Sequence, residues 1–353
     1  MNKVERVTNA LYGRPVDRPP VCFWRHYGDI GPQPTVDAHL RFFRESGIDL
    51  LKMMCDEFFV YPMDSSWTPS DLLKMKPLGK DSHYVRGQVE RATQINEALH
   101  GEALTLYNAF SPYATLKHTI GDAESMALLR DHEDAALHML EIICEDTCAI
   151  VEGILRESGT MGMMLPLQGA EQGRFTAEDY ARLIAPTERR VIECADALSD
   201  KNLLHMCGWD GVPNHLEWWD GYPARMINWA VYVEKIDLAQ ARERFPGRVL
   251  MGGFDNRPGT LLNVGSREDI QAHTRRIVRA AGSRSLILGA DCSLPSDIDP
   301  ARIGWIIEAL ESPSWNSRNS NQKGAAKCGS LFLRFRLMPC AAAPDSAPRK
   351  SSG

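Results

Sequence analysis

The chain has 353 residues, of which 44% are hydrophobic and 24% charged, and its formal net charge is −6. This is the balance of an ordinary globular protein, and it excludes the clustered basic surface that nucleic-acid binding requires. The nine cysteines are scattered and odd in number, which argues against a disulfide framework.

The N-terminal segment MNKVERVTNALYGRP lacks the apolar stretch of a secretory signal. No apolar run approaches the roughly 20 residues that a membrane span needs. Together with the cysteine pattern, these features predict a cytoplasmic protein that has neither a membrane nor a nucleic acid as partner. The sequence is compatible with a homo-oligomer and does not specify one.

Eight short apolar runs follow one another along the chain, with helical stretches between them. The runs are VCFWRH (21–26), LLKMMC (50–55), LTLYNAF (104–110), TMGMMLPLQ (160–168), NLLHMCG (202–208), RMINWAVY (225–232), RVLMGGF (248–254) and SLILGADC (285–292). They are continuous rather than alternating, which is typical of parallel strands buried on both faces.

Helices are predicted in several of the connecting segments. Residues 122–158 are expected to hold two helices that are broken near Asp131. A further helix is predicted over 176–200, with Thr176 as its N-cap. Another is predicted over 266–282, where Ser266 precedes two acids and Gly282 stands at the C-cap position.

Strands that alternate with helices predict an α/β fold, a single-domain (β/α)8 TIM barrel over residues 1–312. A doubly wound open sheet is the alternative. It is disfavoured because VCFWRHYGD follows no GxGxxG pattern. Residues 313–353 are rich in Ser, Asn, Ala and Pro, and they are expected to form an atypical, disordered C-terminal tail.

Metal-binding side chains stand at the ends of two predicted strands. His205 and Cys207 end one apolar run, and Cys292 ends another. Residues two apart in a strand project to the same side, and all strands of a barrel deliver their C-terminal ends to one face. Two thiolates and an imidazole are a soft ligand set that suits Zn²⁺, and three protein ligands leave the fourth tetrahedral position open. A substrate thiol bound there would lose its proton and become a nucleophile.

The competing interpretation of these three residues is structural. Buried cysteines often fill small volumes in a core, and H-x-C alone is a weak motif. The residues by themselves leave both interpretations open.

Four further polar residues at predicted strand ends are candidates for catalysis. Arg25 and His26 end the first strand and could supply a pocket cation and a proton shuttle. Glu171 follows the fourth strand as a candidate pocket carboxylate, and Asp255 follows the turn GGF. For Arg25 the alternative is an ion pair with a rim aspartate, and for Asp255 it is a cap on the next segment.

Five segments of the chain, taken in order, resemble a known protein family. They are RVTNALYGRPVDRPPVCFWRHYG, NAFSPYATLKHTIG, FTAEDYARLIAPTERRVIECAD, RVLMGGFDNRPGTLL and LILGADCSLPSDIDPARIGWIIEAL. The family is the uroporphyrinogen decarboxylase (URO-D) superfamily, which includes the decarboxylase itself and the cobamide-dependent methyltransferases. The resemblance runs from about residue 3 to residue 312 and implies a (β/α)8 barrel.

The decarboxylase branch needs no metal and binds an acidic tetrapyrrole through arginines, an aspartate, a tyrosine and a histidine. Arg25 matches the first of these arginines, and Asp56 matches the aspartate. Asp29, His118 and Ala290 stand where the second arginine, the tyrosine and the histidine are expected. A polycarboxylate would therefore meet fewer cations here, and Asp29 would repel it.

The methyltransferase branch carries H-x-C on one strand and a later cysteine in a glycine-rich segment. His205, Cys207 and Cys292 match this pattern, and Gly208 and Gly289 flank it. The resemblance implies one zinc per chain, which activates a small-molecule thiol to take a methyl group from a methylated corrinoid. Because D-x-H-x-x-G, the cobalamin-binding motif, does not occur in the chain, the corrinoid is expected on a partner protein.

The leading hypothesis is thus a zinc-dependent methyltransferase in which His26, Glu171 and Asp255 orient ligands or move protons. One alternative is a metal-free decarboxylase of tetrapyrrole biosynthesis centred on Arg25. A second alternative is a non-catalytic barrel that binds a corrinoid or a tetrapyrrole.

Overall fold

Residues 1–311, which the computed structural model describes, are built around one parallel sheet. Its strands are β1 (Leu50–Met53), β2 (Leu104–Asn108), β3 (Gly162–Leu167), β4 (Leu203–Met206), β5 (Met226–Trp229), β6 (Val249–Phe254) and β7 (Leu286–Ala290). The strands pair in chain order from β1 to β7, and every pair is parallel. Seven of the eight predicted strands are therefore confirmed, and the predicted tail lies outside the described residues.

The first predicted strand, 21–26, takes the remaining position without becoming a regular strand. Val21 bridges in parallel to Leu288 of β7. On its other side the Val21 carbonyl accepts hydrogen bonds from Asp49 N and Leu50 N, at 2.8 and 3.3 Å, where β1 begins. This segment closes the sheet between its last and first strands. The two prolines that precede it cannot donate to a strand ladder, which limits regular pairing there. The (β/α)8 barrel is confirmed, with one irregular strand.

Helices surround the sheet between successive strands. They are α1 (Lys3–Leu11), α2 (Pro32–Ser46), α3 (Pro69–Leu72), α4 (His83–Leu99), α5 (Pro112–Ile120), α6 (Asp122–Asp131), α7 (Glu133–Glu157), α8 (Ala177–Asp179), α9 (Ala185–Asp196), α10 (Val231–Glu234), α11 (Ala241–Arg244), α12 (Leu261–Val264), α13 (Arg267–Ala281) and α14 (Ala301–Glu311). Among the described residues, no helix has the length and apolar content that crossing a membrane would require.

The predicted helix boundaries agree with the structure. The break near Asp131 separates α6 from α7, and a π-helical turn, Tyr180–Ile184, makes α8 and α9 one continuous helical segment. The hydroxyl oxygens of Thr176 and Ser266 each accept a hydrogen bond from the backbone N–H three residues on, both at 3.1 Å. Gly282 ends α13 with a φ of 76°, a conformation that other residues adopt only with strain.

Apolar side chains contributed by every strand fill much of the barrel interior. These side chains are buried at 2% exposure or less: Leu50, Leu106, Met164, Leu203, Met226, Val249 and Ile287. In a strand, the residue two positions on faces the same side. Lys52, His205 and Asn228 each stand two residues beyond one of these side chains towards the C-terminal end of a strand, so they also face the interior, and they are polar. Apolar side chains therefore fill the part of the interior near the N-terminal ends of the strands. Polar side chains that could take part in a reaction lie nearer the C-terminal ends.

Outside the barrel interior, α9 carries a fully buried carboxylate, Glu188. Tyr180 Oη and Trp219 Nε1 donate hydrogen bonds to Glu188 Oε1, at 2.5 and 3.3 Å. Burial raises the pKa of Glu188 from 4.5 to about 7, although hydrogen bonds from neighbouring side chains oppose the shift. The folded protein therefore binds a proton at pH values where the unfolded chain has released it.

This raised pKa predicts a pH dependence of stability. Stabilisation by protonated Glu188 is complete below pH 4.5 and is lost as pH rises through about 7, a change of up to about 3 kcal/mol. We expect Glu188→Gln, which keeps the shape without the charge, to remove this change. Urea unfolding of both proteins at pH 5 and pH 8 measures it. Equal pH dependence in the two proteins would contradict the assignment.

Candidate metal centre and active site

The structure brings together the three residues that were predicted as metal ligands. His205 lies in β4, Cys207 follows that strand directly, and Cys292 follows β7. One ligand atom from each lies within 4.8 Å of the other two. The group sits at the C-terminal ends of the strands, which is the catalytic face of a barrel of this kind.

A neighbouring asparagine fixes the orientation of the His205 ring. Asn228, its register partner in β5, donates from Nδ2 to the carbonyls of Met251 and Ala290, at 3.0 Å each. Its Oδ1 is therefore the acceptor that faces His205 Nδ1, so Nδ1 carries the ring proton. Nε2 is left as a buried acceptor that no described group satisfies. A buried acceptor without a partner is costly, and a metal ion would satisfy it.

A hydrogen bond joins the two thiols. The hydrogen bond from Cys207 holds the pKa of Cys292 well below its usual value, and nearby His205 adds to this effect. The same hydrogen bond, together with burial, raises the pKa of Cys207. These shifts favour loss of the Cys292 proton, and a thiolate there would favour a cation beside it. Two sulfurs and one imidazole nitrogen form a donor set that fits zinc.

These three residues line a pocket with about 570 Å³ of empty space, open solvent at its mouth included. Most of its wall is apolar and includes Trp24, Met54, Phe59, Phe110, Met164 and Trp209. The polar side chains that also line the pocket, among them Asn108 and Gln168, expose little area, so the ligand atoms face a space of low polarity. Low polarity strengthens electrostatic interactions and suits reactions of desolvated nucleophiles.

His26, a predicted catalytic residue, also lines this pocket. Its Nδ1 lies 2.6 Å from Asp56 Oδ1, and the second Asp56 oxygen accepts from the backbone of Tyr27 and Gly28. Burial by itself would raise the pKa of Asp56, but these hydrogen bonds lower it. A carboxylate thus orients the imidazole, as in many proton-transfer sites.

The other three predicted catalytic residues lie outside the pocket lining. Arg25 donates to backbone carbonyls near the C-terminal end of the barrel, the nearest at 2.7 Å. Glu171 is 2% exposed and accepts from Trp209 Nε1 at 2.6 Å. Asp255 pairs with Arg257 at 2.6 Å. Each of these three charged side chains thus already has a hydrogen-bond or ion-pair partner nearby. Glu171 contacts the pocket lining through its hydrogen bond with Trp209.

His118, which stands at the family's tyrosine position, lines the pocket between two phenylalanines. Its Nε2 is buried, and no described group hydrogen-bonds to it. Burial lowers the pKa of His118 to about 4. The ring is therefore neutral at physiological pH and offers the pocket a nitrogen without a positive charge.

Sequence reasoning missed Lys52, a buried cation in the pocket wall. Lys52 is 3% exposed, its Nζ lies 2.7 Å from Met54 Sδ and 5.2 Å from the centre of the Trp24 ring. Within the described residues no carboxylate forms an ion pair with it. Burial lowers the pKa of Lys52 to about 8. The available signal was a lone polar residue inside a continuous apolar strand, and the same signal marks Asn228.

The role of Asn228 leads to a prediction about metal affinity. Asn228→Ala removes the acceptor of His205 Nδ1–H, so the ring loses its fixed orientation. We expect zinc affinity to fall by about 10–100-fold, the usual cost of losing such a partner. Competition with a chromophoric chelator measures the affinity. Asn108→Ala is the matched control, because Asn108 is a buried pocket asparagine that donates to Cys55 instead. Equal affinities in the two variants would contradict the role of Asn228.

Comparison with known proteins places the chain among its relatives. The sequence model of the family "Uroporphyrinogen decarboxylase (URO-D)" matches residues 61–312. The methylcobamide:CoM methyltransferase MtbA of Methanosarcina mazei is 22% identical over a 342-residue alignment that covers 87% of this chain and 97% of that protein.

Two solved structures share the fold. A methyltransferase from Methanosarcina mazei superposes with a TM-score of 0.67 at 14% identity, over 88% of this chain and 98% of that one. A B12-independent methionine synthase from Shewanella sp. W3-18-1 superposes with a TM-score of 0.54 at 11% identity, over 88% and 99%. Because the family match spans most of the barrel, including all three candidate metal ligands, this chain belongs to the uroporphyrinogen decarboxylase family.

Proposed function

We propose that the protein is a zinc-dependent methyltransferase that moves a methyl group from a methylated corrinoid to a thiol acceptor. The observation that carries this proposal is the convergence of His205 Nε2 with the sulfurs of Cys207 and Cys292 in one apolar pocket. The similarity to a methylcobamide:CoM methyltransferase over 87% of the chain supports methyl transfer as the reaction.

Each pocket residue has a defined part in this proposal. His205, Cys207 and Cys292 would hold Zn²⁺, and the ion when bound would lower the pKa of an incoming thiol. Asn228 keeps His205 Nε2 turned to the ligand side. The aromatic wall excludes water from the thiolate, which would otherwise be solvated and less reactive.

Lys52 and His26 are two further pocket side chains with a role in this proposal. Lys52 offers a buried positive charge near the sulfurs, and it interacts electrostatically with Cys292. This charge would offset the additional negative charge of a substrate thiolate. His26, oriented by Asp56, is placed to accept the proton that the thiol releases. The new S–C bond forms as the Co–C bond breaks, and the bonding electron pair of the latter stays with the cobalt.

The pocket chemistry disfavours decarboxylation of a tetrapyrrole with many carboxylates. Arg25, the cation on which that alternative depends, donates to backbone carbonyls outside the pocket lining. The wall is largely apolar, so several carboxylates would lose solvation there without gaining cationic partners. A non-catalytic barrel gains no specific support from a pocket with a free imidazole nitrogen and paired thiols.

Metal analysis combined with a methyl-transfer assay tests the proposal. The purified full chain should contain about one zinc, as expected for a single three-ligand site. With methylcobalamin as donor and a panel of small thiols, it should convert donor and thiol to cob(I)alamin and thioether. Absence of zinc, together with conversion of uroporphyrinogen to coproporphyrinogen, would establish the decarboxylase instead. Corrinoid binding without turnover for any thiol would overturn the enzymatic assignment.

A further inference from the structure

A second group of cysteines lies outside the barrel site, where α7 packs against α9. Cys144 and Cys148 stand one turn apart on α7, and Cys194 stands on α9. The sulfurs of Cys148 and Cys194 are 2.7 Å apart, and both residues are half-buried, so small solutes can reach them. Cys144 is buried beneath them. No part of the proposed methyl transfer uses this group.

The surroundings favour ionised sulfur at Cys144, whereas the hydrogen bond with Cys144 and burial raise the pKa of Cys148. Arg190 Nε donates to Cys144 Sγ at 3.0 Å, which brings a guanidinium to the cluster. The hydrogen bond from Cys148 and the positive charge of Arg190 lower the pKa of Cys144. A positive neighbour and partial exposure are the features of oxidisable cysteines.

Two cysteines of the barrel, Cys22 and Cys55, differ from Cys148 and Cys194 in exposure. Burial raises the pKa of Cys22 to about 12 and that of Cys55 to about 11. Both are fully enclosed. Burial of this kind keeps an oxidant from reaching the sulfur.

We propose that Cys148 and Cys194 form a reversible disulfide that links α7 to α9, with hydrogen peroxide as oxidant. One thiolate attacks the peroxide and becomes a sulfenic acid, and a proton completes the water that leaves. The second thiol then attacks this sulfur, and a second water departs as the S–S bond forms. Two electrons pass from the sulfurs to the peroxide in total. A small dithiol returns both sulfurs to thiols by exchange.

The link would join segments that hold the metal-binding strand in place. α7 precedes β3, and α9 precedes β4, which carries His205. A bridge between the two helices closes a loop that contains β3 and restricts the unfolded chain. Oxidation should therefore raise the thermal unfolding temperature, and reduction should restore the original value.

Peptide mapping of the zinc-loaded full chain tests this proposal. After peroxide treatment and alkylation of free thiols, we expect a peptide pair bridged between Cys148 and Cys194, lighter by two hydrogen atoms. Dithiothreitol should abolish it, and Cys148→Ser and Cys194→Ser should lack it. Cys55→Ser, which removes a buried thiol, should cross-link as the parent does.

The parent chain alone can overturn the proposal, without reliance on the folding of any variant. Alkylation of both Cys148 and Cys194 after peroxide treatment, with no bridged peptide, would do so. A bridge that joins either of them to a different cysteine would do so as well. Methyl-transfer activity plays no part in this readout, so its outcome is independent of the proposed function.

Discussion

Replacing Cys207 by serine should remove the bound zinc and with it methyl transfer to thiols. A serine hydroxyl does not ionise at neutral pH and is a poor ligand for a soft metal set, so only His205 and Cys292 would remain. We expect activity to fall by more than about 100-fold, because loss of an outer hydrogen bond already costs about 10–100-fold. Cys292→Ser should have the same effect. Elemental analysis after gel filtration and the methylcobalamin assay measure the two quantities.

Cys55→Ser is the matched control for this prediction. Cys55 is also buried and follows a barrel strand. Its sulfur accepts a hydrogen bond from Asn108, and Cys55 is not one of the three candidate metal ligands. This variant should retain zinc and activity. Circular dichroism spectra that match the parent would separate loss of the metal from loss of the fold. Stoichiometric zinc in folded Cys207→Ser protein would refute the assignment of the ligands.

The second large effect is expected at Asp49, which ties the N-terminal segments to the barrel. The Asp49 side chain is fully buried and pairs with Arg6 and Arg18, both at 2.6 Å. It also accepts from Val21 N at 2.9 Å, within the segment that closes the barrel. Asp49→Asn would leave two largely buried guanidinium groups without their one buried carboxylate, with only the more exposed Asp17 and Glu311 as partners. We expect a loss of about 3–5 kcal/mol in the free energy of unfolding, measured with urea.

Asp17→Asn provides the comparison within the same group of charges. Asp17 also pairs with Arg6, at 2.8 Å, but its side chain is 39% exposed. Solvent screens an exposed pair, so this change should cost about 1 kcal/mol or less. Similar losses in the two variants would show that burial does not set the strength of the Asp49 contacts.

The local pattern of the chain was sufficient to predict the positions of its strands and helices. Continuous apolar runs identified β1 to β7 because strands covered on both faces admit few polar residues. Helix ends were predictable because Thr176 and Ser266 satisfy donors only three residues away. The first predicted strand was the exception, since regular pairing depends on partners in β7 and β1 that are distant in sequence.

The three candidate metal ligands were predictable because strand periodicity and barrel topology together bring them to one face. His205 and Cys207 share one side of a strand, and barrel topology brings Cys292 to the same face. The candidate acids and bases were not predictable in this way. Glu171 and Asp255 follow strands as expected, but each pairs with a nearby arginine and lies outside the pocket lining.

The sequence by itself determined the barrel, its family and the three residues that converge at its mouth. Only the tertiary structure decided that Asn228 orients His205, that no carboxylate within residues 1–311 forms an ion pair with buried Lys52, and that Cys148 meets Cys194. The physical reason is the distance along the chain over which each effect acts. Periodicity and capping act over a few residues along the chain, whereas hydrogen-bond partners and burial depend on packing between segments far apart in sequence.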